Sequence, residues 1–213
     1  MTVTKSMDEV HQEHIDVLGA DLGTAFSALH QRLVELHIVW QQYEQLFGSD
    51  ESTVELLNRT SGLFFKVVQD ELWDSVLLGI SRMTDPPATG KKKNLTINSL
   101  PPLIEDLDLK SLLEGLCRLA AEEASFAREH RNKRIAHQDH NYATKQEANA
   151  LNGISRLRVN AMLKAISDVL NLIHLRFWDT TYFYHDFVDL DGARVLVAKL
   201  RSAELKGGFS RAP

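Results

Sequence analysis

Apolar residues recur along most of this chain at steps of three and four, the period of a helix that buries one face. From Ile15 they fall at Leu18, Leu22, Phe26, Leu29, Leu33, Leu36, Trp40, Tyr43 and Phe47, which predicts one long amphipathic helix stopped by Gly48. Ser52 followed by Glu55 reads as a capping box opening the next helix. That run carries Phe65, Val68, Leu72, Trp73, Val76, Leu77, Ile80 and Met83, is disturbed around Ser61-Gly62, and ends at Asp85-Pro86-Pro87. The segment from Asp85 to Asn94 holds two prolines, a glycine and three lysines and predicts a mobile surface loop. Pro101-Pro102 suits the start of a short helix.

Leu112, Leu116, Leu119, Ala120 and Ala124 set up a further helix that runs straight into an arginine-rich window. Val159, Leu163, Ile166, Val169, Leu170, Ile173 and Phe177 give a fourth long one, and Asp191-Gly192 permits a break before a last helix through Leu200. No segment alternates at strand period for long enough to build a sheet, and Phe177 to Phe187 is the one stretch that invites hesitation. The fold class is therefore all-α, a bundle of long amphipathic helices without internal repeats. A chain of 213 residues with 44% hydrophobic composition suits one domain over residues 1–206, with a frayed tail at 207–213.

Composition narrows the classes. The single Cys117 cannot form an internal disulfide, and Met1 to His14 lack the apolar core of a signal peptide, so a cytoplasmic protein is expected. The longest apolar runs, such as Val76 to Ile80, are far shorter than the roughly 20 residues of a bilayer crossing, so no membrane partner is expected. A net charge of −5 excludes a globally basic nucleic-acid coat, and any polyanion must be held by local clusters. Three exist: Lys91, Lys92 and Lys93; Arg128 through Arg134; and Arg156 with Arg158. Each can equally be a solvated face.

The chemistry concentrates in Arg131-Asn132-Lys133-Arg134-Ile135-Ala136-His137. Arginine presents a planar fork of donors to phosphate oxygens, and histidine both takes and gives a proton near neutrality. On an unbroken helix Arg131 and His137 would point about 240° apart, so they converge only if the helix ends near Ala136 or if a second copy supplies the other half across a dimer axis. Arg134 shares a stripe with His130 and His137 and is the rival phosphate ligand.

At this window the chain resembles the HEPN superfamily, whose signature is an arginine, usually with a polar residue directly after it, then four to six intervening positions and a histidine. Leu72-Trp73-Asp74, Arg82-Met83-Thr84-Asp85-Pro86, Lys92-Lys93-Asn94-Leu95-Thr96 and Asp139 extend the likeness to the abortive-infection AbiU-type branch. The resemblance implies a helical bundle that pairs as a homodimer with its motifs face to face. It also implies, as in many members, a metal-independent RNA endonuclease acting in bacterial defence or as a toxin, with an antitoxin or regulatory protein as a further partner. Arg131, Asn132 and His137 are then catalytic. Histidine withdraws the ribose 2′-hydroxyl proton and arginine stabilises charge on the phosphoryl oxygens, with no cofactor or metal. Lys91, Lys92, Lys93, Arg128, Arg134, Arg156 and Arg158 are candidate RNA-binding residues. Where some toxin members carry a tyrosine two residues after the histidine, this chain has Asp139, so regulation through that tyrosine does not carry over.

The rival reading is a non-catalytic helical dimer that binds a nucleotide, RNA or a protein through the same basic cleft. Zinc at His130, His137, Asp139 and His140 is disfavoured, since the spacing fits no structural zinc pattern and no cysteine accompanies it. Trp73 and Asp74 read as a core residue beside a helix-surface or interhelical one. Asp85 before Pro86 reads as a turn former in preference to a catalytic group.

Overall fold

The structure is a computed structural model and describes residues 5–132, 156–186 and 191–207. Its elements are α1 (Met7–Leu18), α2 (Ala20–Tyr43) with a π-helical end at Glu44–Gly48, α3 (Glu51–Thr84), β1 (Ala88–Thr89), β2 (Lys92–Lys93), 3-10 turns at Ile97–Ser99 and Pro101–Leu103, α4 (Leu107–Glu123), α5 (Ser125–His130), α6 (Arg156–Trp178) and α7 (Ala193–Leu205). The all-α class is confirmed. Among the described residues, no helix is long and apolar enough to cross a membrane.

Four local expectations change. The stripe beginning at Ile15 crosses a break, because Gly19 takes φ +82° and caps α1 by donating its N–H to Ile15 O at 2.9 Å. Gly23 then lies against the α1 backbone, where a Cβ would come within 2.5 Å of His14 O and 2.6 Å of Ile15 Cα. The start of α3 is capped by Asp50, whose carboxylate accepts the Thr53 N–H at 2.7 Å, and not by the Ser52 and Glu55 pair. The lysine segment is an antiparallel hairpin, Ala88 opposite Lys93 and Thr89 opposite Lys92, turned by Gly90 at φ +61°. Finally, the helix entering the arginine window breaks at Ala124 (φ −77°, ψ 3°) into α4 and α5. The disturbance in α3 is where expected, with Ser61 at φ −163°, ψ 73°.

The backbone forms two compact units, Met1–Glu35 with Leu77–Tyr184, and Leu36–Val76 with His185–Pro213. The first is built on Leu29, Leu33, Leu77, Ile80, Leu113, Met162, Ile166 and Ile173, all at most 1% exposed. In the second, Leu46, Leu56, Leu57, Phe65, Ala193 and Val197 form the core. There Trp40 stacks on Tyr43 at 5.0 Å, with Trp73 6.0 and 5.4 Å from the two rings. Gln42 and Gln45 cap α7 by accepting the N–H groups of Ala193 and Arg194 at 2.7 and 2.9 Å, which satisfies donors that every helix start leaves open.

Candidate functional site

The first unit holds two concentrations of ionisable side chains. One is the turn that closes α3. The Thr84 hydroxyl donates back to Ile80 O at 2.9 Å, and Pro86 and Pro87 stop the helix from continuing. Asn98 Nδ2 donates to the carbonyls of Thr84 and Asp85 at 3.3 and 3.1 Å, so the turn is held from the 3-10 segment that follows the hairpin.

Onto this turn come the arginines. Arg128 reaches Thr84 Oγ1 at 3.3 Å through one terminal nitrogen and Ala121 O at 2.5 Å through the other. One turn later Arg131 forms an ion pair with Asp85, and its Nε donates to Asn132 Oδ1 at 3.2 Å. The two paired side chains retain 24% and 20% of their exposure, so the ion pair sits at the rim of the unit. Asp85 therefore does more than shape a turn: it holds the motif arginine from a position 46 residues earlier in the chain. Its place before Pro86-Pro87 was the available signal, because a carboxylate fixed at a helix stop is a rigid anchor for a cation.

The other predicted residues distribute around this centre. Asn132 is exposed. Lys91, Lys92 and Lys93 are exposed on the hairpin, whose base is pinned by Asn94 donating to Pro86 O at 3.0 Å and Thr89 Oγ1 at 2.9 Å. Arg156 and Arg158 are exposed at the start of α6, and the Arg158 guanidinium lies over the Phe126 ring at 5.8 Å. Phe126 was not singled out from sequence; the exposed Arg82, quoted there only as part of the Arg82–Pro86 run, belongs to the same helix end as Thr84. Arg134, His137, Asp139 and His140 lie outside the described residues. His130 is buried, 1% exposed. Among the described residues no group of three His, Cys, Asp or Glu side chains could hold a metal.

The second concentration is internal. His14, His30 and His174 are 4%, 9% and 8% exposed and meet edge-on, with ring centroids 5.4 Å apart for His14–His30 and for His30–His174. Phe26, Trp178, Tyr182 and Tyr184 surround them. Tyr184 Oη lies 2.8 Å from His30 Nδ1. Burial pushes the Tyr184 hydroxyl well above its ordinary range, so it stays protonated and is the donor. Burial, then the neighbouring histidines, pushes His30 down to about 3; burial, then His14, pushes His174 down to about 4. His14 is lowered as well, chiefly by burial. These rings are neutral at pH 7 and serve as packing.

A helical bundle whose sequence carries Arg131, a polar residue directly after it and a histidine six positions on is the pattern of an HEPN-type domain. The family model HEPN_AbiU2, described as AbiU2, matches residues 19–195. The chain belongs to that family. No curated protein and no solved structure matches it.

Proposed function

We propose that this protein is a metal-independent RNA endonuclease of bacterial defence, of the abortive-infection or toxin kind, working in the cytoplasm with an active site shared between two copies. The observation that carries the reading is Arg131: anchored by Asp85 at the rim of the unit, with Asn132 beside it and His137 six residues on, in a chain of the AbiU2 family. An arginine already ordered presents its remaining donors to a phosphate without first losing rotamer freedom.

His137 removes the proton from a ribose 2′-hydroxyl. The freed oxygen attacks the adjacent phosphorus, a new O2′–P bond forms as the P–O5′ bond breaks, and the departing 5′ oxygen takes a proton from the second histidine of the pair. Arg131 stabilises charge on the non-bridging oxygens, and Asn132 orients phosphate or imidazole. The products are a 2′,3′-cyclic phosphate and a 5′-hydroxyl. Lys91, Lys92 and Lys93 on their hairpin, with Arg128, Arg134, Arg156 and Arg158, attract the RNA backbone. An antitoxin or regulatory protein is the expected further partner.

The test is incubation with total RNA in EDTA beside His137→Ala. Cleavage that survives chelation, spares substrates with a 2′-deoxy sugar at the cut, and vanishes in the variant is the expected result. RNA bound but never cut by the parent protein turns the assignment to a non-catalytic binder, and rescue of activity only by magnesium or manganese overturns the mechanism.

A further inference from the structure

Helix α3 ends against two prolines, and a helix end leaves its last carbonyls without partners inside the helix. The successive carbonyls of Thr84, Asp85, Pro86 and Pro87 all accept hydrogen bonds from two asparagines further along the chain. Asn98 Nδ2 donates to Thr84 O at 3.3 Å and to Asp85 O at 3.1 Å. Asn94 donates through Nδ2 to Pro86 O at 3.0 Å and through its backbone N–H to Pro87 O at 2.8 Å. An amide nitrogen carries two hydrogens, so the Asn98 side chain can hold two adjacent carbonyls at once; an ionised aspartate of the same shape could hold neither.

The two asparagines divide the turn between them. Thr84 and Asp85, held by Asn98, are the residues whose side chains receive Arg128 and Arg131. Pro86 and Pro87, held by Asn94, open the lysine hairpin, and Asn94 Nδ2 also reaches Thr89 Oγ1 within it at 2.9 Å. Asn98 works from a firm base. Ile97 and Leu100 beside it are 0% exposed and Thr96 is 1% exposed. Ile97 O accepts from Cys117 Sγ of α4 at 3.4 Å and from the Leu100 N–H at 3.2 Å. A short path therefore joins the α4 core to the motif arginine: Ile97, the Asn98 amide, the Asp85 peptide and the Asp85 carboxylate. A shift of that peptide carries the carboxylate with it, and the carboxylate carries Arg131.

We propose that Asn98 is a positioning residue for Arg131: it fixes the backbone of Thr84 and Asp85, and through them the side-chain acceptors that aim Arg128 and Arg131. The role rests on the reading of Arg131 as the group that meets a phosphate, and it names the residue that sets its aim. Asn94 serves the hairpin instead.

Hydrogen exchange at the Arg131 Nε–H tests the coupling in the RNA-free protein, by heteronuclear NMR with the signal assigned from its loss in Arg131→Lys. That nitrogen donates to Asn132 while Nη1 meets Asp85, so the rate follows how firmly the guanidinium is held. Asn98→Ala is expected to speed exchange by up to about 5-fold, the population change that loss of a rim ion pair allows. Asp85→Asn should do the same, and the double variant should exchange no faster than either single one. Asn94→Ala also deletes two side-chain hydrogen bonds and is the matched control, with the parent rate expected. Asn98→Gln carries its donors one methylene too far, and it gives the same acceleration where the alanine chain does not fold. In single-turnover cleavage Asn98→Ala should slow the parent about 10-fold and the Asp85→Asn chain less than about 2-fold. The parent exchange rate in both Asn98 variants, an equal acceleration in Asn94→Ala, or cleavage losses that multiply with Asp85→Asn overturns the proposal. Coupled exchange in a protein that cuts no RNA retires the nuclease reading alone, and a nuclease whose Arg131 exchange ignores Asn98 retires the positioning role alone.

Discussion

The turn at Asp85 and the chamber around His30 belong to the same compact unit, yet they treat ionisable side chains in opposite ways. At the turn, Arg131 forms an ion pair with a carboxylate and retains about a quarter of its side-chain surface. In the chamber, His14, His30 and His174 are packed edge-on against each other and against aromatic rings, and burial holds them neutral. Residue type alone would rank the chamber as the richer chemical site. Environment reverses that order, because proton transfer near neutrality needs a pKa near neutrality and a path to solvent, and the chamber has removed both.

The sharpest way to break this contrast is to compare a histidine from each region. His137→Ala is expected to lower the cleavage rate at least about 100-fold, in line with the loss of a general acid–base group, while His174→Gln lowers Tm but leaves turnover per folded molecule unchanged. Single-turnover assays corrected for folded fraction decide it. Equal losses in both variants would place the chamber in the machinery.

Acidification should act on the chamber next. The folded values of His30 and His174, about 3 and about 4, lie below the ordinary 6.5, so the unfolded chain binds more protons between those limits. Their contribution to stability is full above about pH 6.5 and is withdrawn as pH falls toward 4. By pH 5 the loss is about 2 kcal/mol for each of the two. Urea titrations from pH 7.5 to 5 should show the midpoint falling steadily. A flat profile would mean that the rings are solvated in the folded state.

Smaller effects test how each region is held. Gly23→Ala forces a methyl onto the carbonyl of His14, and the strain should cost about 1–3 kcal/mol by thermal melt. Asp85→Asn removes a rim ion pair, so the expected stability loss is only about 1 kcal/mol or less. Its signature is functional: measured in the His137→Ala background, RNA should bind more tightly because a negative charge is gone, whereas in the parent background cleavage should slow because Arg131 is no longer aimed. Tighter binding with undiminished cleavage would show that Asp85 does not position the arginine.

Much of the fold was legible in the sequence because helices α2, α3, α4 and α6 each bury one stripe. The breaks at Gly19 and Ala124 were not, for different reasons. The apolar stripe continues across Gly19, so periodicity conceals a glycine whose positive φ decides the matter, and alanine at 124 is the best helix former by intrinsic preference. Arg131 was legible through its motif. Its partner was legible only as a turn residue, since the pairing with Asp85 is a tertiary fact. The histidine chamber left no local trace: His14, His30 and His174 sit on three different helices, and no spacing rule connects them.

The break at Ala124 bears on how this segment can change in length. It sets the rotation of α5, and that rotation is what aims Arg128 at Thr84 and Arg131 at Asp85. Inserting or deleting one residue between the break and Arg131 would turn the arginines by about 100° and carry them off the turn. Among descendants of this chain the hairpin can lengthen, whereas the count of residues from Ala124 to Arg131 should remain fixed.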